Sequence, residues 1–261
     1  MASIDIYDIN TNQLDSLTLP SSDYPGGLEF DGVYFWLFQG DFLYKLIPGE
    51  GTTFSLVEVD RIDVRTIIGG GAYTNFTPRG VAVGSSYGYV HFDFSEPSGG
   101  FPPAVVFGQR NYRFNVQSPS FFEDLGVTQI QSSVNPVTDI SLSPDETYLF
   151  ASSRGSGGGA TDARIYQILI QGRAGPVRVF QNGVVAGNRW VAIAHNDAYM
   201  LATARTNALL IGDFEHNILD VVGSLGTGVT SICTSRSGGK HDHDVGSSYG
   251  WGSDWIGVLK E

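Results

Sequence analysis

The sequence predicts an all-β fold, a β-propeller built most simply of five four-stranded blades. Three observations predict it. The segment VTDISLS at 137–143 recurs as VTSICTS at 229–235, and a similar rhythm of β-rich run, turn and aromatic-rich run returns at 27–36, 80–90 and 190–201. One apolar residue from each echo (Leu28, Val81, Ile140, Val191, Ile232) gives steps of 41 to 59 residues. A self-similar period of roughly 40–50 residues is that of a four-stranded blade, and the excess is room for loop insertions. The third observation is that the two ends of the chain complement each other. Residues 3–8 alternate with period two and 13–19 follow as a second strand, while 229–235 and 254–260 supply two more. Two strands from each end complete one blade, and such a closure removes open sheet edges.

The other blades follow in order. Residues 27–30 form an inner strand, Asp31 and Gly32 a tight turn, and 33–38 the second strand, since Asp-Gly between β-rich runs is a strong hairpin signal. Gly40 and Asp41 then turn into 42–47, with 53–59 as the outer strand. Blade two begins at 79–83 and continues through 87–93; blade three comprises 140–142, a turn at 143–146, then 148–151, 164–170 and 177–180. Blade four is the tightest, at 190–194, 199–203, 208–214 and 218–222, and its short connections mark it as structural. The chain is expected to be one propeller domain over residues 1–261, with insertions at about 52–78 and 97–136. The stretches 53–78 and 97–136 are long enough to hold a further sheet, so six thin blades are the alternative count.

Composition agrees with this class. Hydrophobic residues make up 41% of 261, enough for a packed core, and 34 glycines with 11 prolines suit a turn-rich chain. No apolar run approaches the roughly 18 residues a membrane helix needs, and the start of the chain has neither the basic region nor the apolar stretch of a signal peptide. Membrane insertion is therefore not expected, and the localisation expected is virion or cytoplasm. A formal net charge of −12 without a basic stripe argues against nucleic acid, whose binders gain most of their affinity by neutralising phosphates. Twelve arginines stand against three lysines, a bias that reflects either protein interfaces or nucleotide composition. The single Cys233 excludes an internal disulfide and is expected to pack as a small hydrophobe.

The stretch SLSPDETYLFAS at 141–152 resembles the "spDG-ylyv" signature of YVTN- and WD40-type propellers, with weaker echoes in the other blades. That resemblance implies architecture alone, because propellers host hydrolases, lectins, lactonases and inert scaffolds. In its glycine-rich, cysteine-poor style the chain also resembles bacteriophage tail and virion propeller proteins, which implies a structural role in an assembly.

Candidate chemistry is sparse. Glu29 and Asp139 are the acids on inner-strand cores; a glycosidase would need two such carboxylates about 5–9.5 Å apart, while a structural acid would instead satisfy backbone amides. His241, His243 and Asp244 form the best metal-like cluster, since residues two apart share a face of an extended segment. They supply fewer ligands than a zinc site with its supporting shell requires, and a solvated polar loop is the plainer reading of them. No phosphate loop or His-Glu-x-x-His is present, and no cofactor is expected. For partner binding the candidates are Phe121 and Phe122, in a segment where Ser118 or Ser120 can cap a helical turn ended by Gly126, together with Tyr249 and Trp251 in a glycine-rich loop. Each of these aromatics has core filling as its ordinary alternative. The expected function is a non-catalytic assembly or docking propeller with protein partners, a structural component of a bacteriophage virion in the tail region. A glycan-binding, lectin-like propeller and a hydrolase or lactonase with its site at the channel mouth are the alternatives.

Overall fold

A computed structural model describes residues 1–8, 12–19, 23–50, 53–97, 105–127, 137–153, 164–170, 178–181, 190–195, 200–204, 208–213, 218–234 and 255–261. It shows five four-stranded antiparallel sheets arranged as a propeller. Blade one is β3 (Pro25–Phe30), β4 (Phe35–Gln39), β5 (Phe42–Pro48) and β6 (Leu56–Asp63). Blade two is β7 (Asn75–Val83), β8 (Tyr87–Pro97), β9 (Val105–Asn115) and β10 (Phe122–Val127). Blade three is β11 (Val137–Leu142), β12 (Tyr148–Ser153), β13 (Arg164–Leu169) and β14 (Arg178–Gln181). Blade four is β15 (Trp190–His195), β16 (Met200–Ala204), β17 (Ala208–Gly212) and β18 (Ile218–Ser224).

The fifth blade joins the ends of the chain. Its order is β19 (Val229–Thr234), β20 (Trp255–Lys260), β1 (Ser3–Asp8) and β2 (Gln13–Thr18), with β1 paired antiparallel to β20 from Ser3 opposite Lys260 to Asp8 opposite Trp255. The closure expected from the alternating N-terminus is thus present, and a side-chain latch reinforces it. The Lys260 ammonium donates to Asp5 Oδ2 at 2.5 Å and to the Tyr7 hydroxyl at 2.6 Å, while the Tyr7 hydroxyl donates to the Leu225 carbonyl at 3.1 Å. Burial works against charge on Asp5, but Lys260 and the Ser16 hydroxyl outweigh it and hold the carboxyl below its usual range.

Five equivalent bulges set the register of the ring. Each inner strand slips by one residue against its partner, at Gly26, Arg79, Thr138, Val191 and Thr230. A bulge leaves one residue unpaired and sharpens the local twist. This explains why VT recurs at 137 and 229. In both places the bulged threonine turns its hydroxyl onto the facing strand, Thr138 to the Ser152 carbonyl and Thr230 to the Leu259 carbonyl, each at 3.3 Å. The bulge also corrects the blade-four register. Val191 is the bulged residue, so the counterpart of Leu28, Val81, Ile140 and Ile232 is Ile193.

Beyond the bulge, side chains alternate between the two neighbouring blades. Val81, Val90 and Phe92 pack with Trp36, Phe38 and Leu43 of blade one, whereas Ala82 and Tyr89 pack with Val137, Ile140, Leu149 and Ala151 of blade three. The core is therefore five inter-blade layers, and the sandwich between blades one and two is the most aromatic of them.

Two expectations change. Residues 97–136, read as an insertion, contribute the regular strands β9 and β10 to blade two. The segment after Ser118 is a turn leading into strand β10, with no helical turn ended by Gly126. Cross-strand chemistry decides this. Glu123 lies opposite Arg113 and pairs with it, Asp124 pairs with Arg110 at 2.9 Å, and Phe122 packs on Phe114. The described part of residues 53–78 likewise joins existing blades through β6 and β7, linked by a one-turn helix, α1 (Val64–Ile67), whose Thr66 amide donates to the Asp63 carboxylate. No sixth sheet forms among the described residues.

Candidate functional site

The residue just past each bulge faces the next blade: Gly27, Gly80, Asp139, Ala192 and Ser231. At Gly27 and Gly80 the next inner strand comes so close that a side chain has no room. A Cβ on Gly80 would lie 2.7 Å from the Ile140 nitrogen, and one on Gly27 would run into the Val81 nitrogen. At Asp139 and Ser231 polar side chains serve the corresponding amide. Asp139 Oδ2 accepts from the Ile193 N–H at 3.2 Å, and Ser231 Oγ accepts from the Leu28 N–H at 3.0 Å.

Asp139 is the centre of this arrangement. It is fully buried, and its oxygens also accept from its neighbour's Ile140 N–H at 3.0 Å and from the Ser231 hydroxyl at 3.0 and 3.1 Å. One carboxyl on blade three therefore reaches blades four and five, and through Ser231 it touches blade one. Burial pushes its proton affinity well above the ordinary carboxylate range against these hydrogen bonds, and the charge of Glu29 adds to the rise. Glu29 is itself buried and accepts from the Phe30 N–H at 3.1 Å. The structure thus brings the two candidate acids within electrostatic reach of each other. Asp139, however, presents its oxygens to structural donors.

Cys233 shares the strand face of Ser231, packs without exposure among Leu28, Phe30 and Trp255, and has its thiol pushed far up by burial. His195 sits beneath the ring of Phe150, with Nδ1 3.3 Å from the Ser141 hydroxyl. Among the described residues no three His, Cys, Asp or Glu side chains come together as a metal set. His241, His243, Asp244, Tyr249 and Trp251 lie outside the described residues.

The two phenylalanines that are candidates for partner binding part company. Phe122 is buried against Phe114, whereas Phe121 is 72% exposed. A second apolar surface was not read from the sequence. On the outer strands of blades four, five and one, which are consecutive in the ring, Leu219, Val221, Leu14, Val57 and Val59 are all exposed, Leu219 at 66%. The period-two pattern of β6 is visible as letters, but only the fold shows that residues 57–61 are all exposed, Val57 and Val59 among them.

A third feature is a polar seam between blades two and three. Arg79 pairs with Asp93 at 2.6 Å and donates to the Tyr24 hydroxyl at 3.3 Å; Gln109 donates to the other Asp93 oxygen at 2.5 Å and accepts from the Val137 N–H at 3.3 Å. His91, beside this network, is 1% exposed, and its Nδ1 meets Asn111 Oδ1 at 2.5 Å. Burial holds His91 below the usual imidazole range, so it is neutral at pH 7.

No protein-family model and no curated protein matches the sequence. Solved structures do. KlHsv2 with loop 6CD replaced by a Gly-Ser linker is 10% identical over 88% of this chain and 63% of its own, with a TM-score of 0.40. The outer coat vertex of COPII on membranes is 11% identical over 95% and 72%, with a TM-score of 0.46. Chaetomium thermophilum Raptor is 10% identical over 99% of this chain and 26% of its own, with a TM-score of 0.45. Likenesses at this level carry no argument about what this chain does.

Proposed function

We propose that the chain is a non-catalytic docking propeller that works as one folded domain within a larger protein assembly. The observation that carries this reading is the exposure of aliphatic side chains on the outer strands of three consecutive blades: Leu219 and Val221, Leu14, and Val57 and Val59. Outer strands present unpaired backbone edges, and soluble proteins ordinarily guard such edges with charge. Here Glu58, Asp60 and Arg61 supply some charge, yet the valines remain outward. Exposed Phe121 adds an aromatic anchor on blade two, and aromatic residues are enriched where interfaces gain most of their energy. The axis, by contrast, gives an enzyme little to work with, because Asp139 is engaged by three donors.

At the finer level, the assembly is a bacteriophage virion and the place is its tail region. What supports this is the glycine-rich, cysteine-poor character of the chain. The test is sedimentation of the untagged protein in lysate of its natural source, with mass spectrometry of the particle that carries it. Fixed stoichiometry with tail proteins is the expected result. Migration as a free species near 28.1 kDa overturns the assembly reading, and fixed stoichiometry in a non-viral particle overturns the virion alone.

A further inference from the structure

Four buried side-chain polar atoms among the described residues have no hydrogen-bond partner: His91 Nε2, Arg110 Nε, Ser153 Oγ and Arg164 Nε. Three of the four lie on the two faces that meet between blades two and three. His91 alternates with Tyr89 on the face that packs against blade three, and Ser153 alternates with Leu149 and Ala151 on the face that packs against blade two. Arg164 is directly opposite Ser153 across the β12–β13 pair and shares the face of Tyr166. Side chains directly opposite on one face have Cβ atoms about 4.5–5.5 Å apart, so Ser153 and Arg164 are neighbours. The two faces are held together here: Gln109 accepts from the Val137 N–H, Val137 is opposite Ser153, and Gln109 is two residues along β9 from Asn111, the partner of His91, on the same face.

Arg164 is also exceptional in charge. Arg61, Arg65, Arg79, Arg110 and Arg113 each pair with a carboxylate. Among the arginines whose side chains are described, half-buried Arg164 alone has no such partner, in a chain where 27 acidic residues outnumber 15 basic ones. The seam's other arginine, Arg79, is already neutralised by Asp93.

The donor pattern selects a ligand. A carbonyl oxygen only accepts, so the contact with Asn111 Oδ1 places the imidazole proton on Nδ1 and leaves a lone pair on His91 Nε2. Ser153 can donate its hydroxyl proton, and Arg164 its Nε–H. A complement must accept twice, give one proton, and carry negative charge. A carboxylate has no proton to give, a cation is repelled by Arg164, and water leaves the guanidinium unneutralised. We propose that the seam between blades two and three binds a small protonated oxyanion, hydrogen phosphate being the simplest, through Arg164, Ser153 and His91. Its P–OH donates to His91 Nε2, and its charged oxygens accept from Ser153 and Arg164. This site is separate from the outer rim and does not depend on the docking reading.

The experiment is calorimetric titration of the full chain with inorganic phosphate, with acetate at equal ionic strength as the second probe. Saturable one-to-one binding of phosphate is expected, without comparable binding of acetate. Ser153→Ala and Arg164→Gln should each weaken it roughly tenfold or more, the scale of one lost charge-assisted hydrogen bond, with an unchanged melting midpoint in the absence of phosphate. If Arg164→Gln fails to fold, Arg164→Lys keeps the charge without the Nε–H and should show the same weakening. Phosphate should also shift the Nε2 nitrogen resonance of His91 in the wild-type chain. Absence of saturable binding, equal binding of acetate, or wild-type affinity in the Arg164 variant overturns the proposal.

Discussion

The seam between blades one and two and the ring of contacts around Asp139 solve one problem with opposite chemistry. In both, the residue past the bulge must meet the backbone amide of the next inner strand. Between blades one and two the answer is the absence of a side chain at Gly27, with the layer then filled by Trp36, Phe38, Phe92, Tyr112 and Phe114. At blade three the answer is a hydrogen bond from that amide to Asp139, and at blade five one to Ser231, where the ring returns to blade one. Close packing tolerates no added volume, whereas the polar ring tolerates no lost acceptor. The two halves of the propeller should therefore fail under different substitutions.

The largest expected effect is at Gly80. Gly80→Val places branched carbons against the Ile140 backbone, which cannot retreat without opening the ring, and should leave no cooperative unfolding transition by circular dichroism. Retention of a native-like melt would break the close-packing half of the comparison. Phe92→Ala should cost about 3–5 kcal/mol in urea unfolding, the scale for removing a buried aromatic. Asp139→Ala should cost about 3 kcal/mol, because it strands buried donors from Ile193, Ile140 and Ser231.

Asp139→Asn sharpens the point through pH. The folded carboxyl binds its proton more tightly than the unfolded one, so the fold holds more protons and wild-type stability falls as pH rises from about 4 towards the raised folded value. Asparagine has no such dependence. Unfolding free energies measured across that window should shift steadily in favour of Asp139→Asn as pH rises; a parallel pair of curves would mean Asp139 is ionised in the fold. His91 acts in the other direction. Its folded value lies below the unfolded one, so its contribution is intact above about 6.5 and is lost as pH falls below that. The smallest effect is expected at Phe121→Ser, within about 0.5 kcal/mol of wild type, since an exposed ring has little packing to lose.

Much of this architecture was legible as letters. Strand β1 falls at residues 3–8 as its alternation predicts, and the pairing of β1 with β20 follows from counting strands at each end. What the letters hid were the effects of partners distant in sequence. In VAIA at 191–194 every residue is small or apolar, so nothing marks Val191 as the bulge, and the register of blade four reads two residues early. The segment FFEDLG at 121–126 looks like a capped turn until Arg113 is placed opposite Glu123 and Arg110 within ion-pair reach of Asp124. Glu29 and Asp139 were visible as inner-strand acids, but the three donors around Asp139 come from three different strands. His91, Ser153 and Arg164 have no spacing signature at all, because two strand faces from different blades assemble them. The exposed rim valines look like ordinary strand residues for the same reason.

The central claim is that the axis serves the fold and the outer rim serves the assembly. Its most direct test is incorporation into the native particle of two variants in parallel, Asp139→Asn and the double rim variant Val59→Lys with Val221→Lys, both first shown to be folded. The account predicts that Asp139→Asn is incorporated at the wild-type level and the rim variant is excluded. Full incorporation of the rim variant together with loss of Asp139→Asn would contradict it.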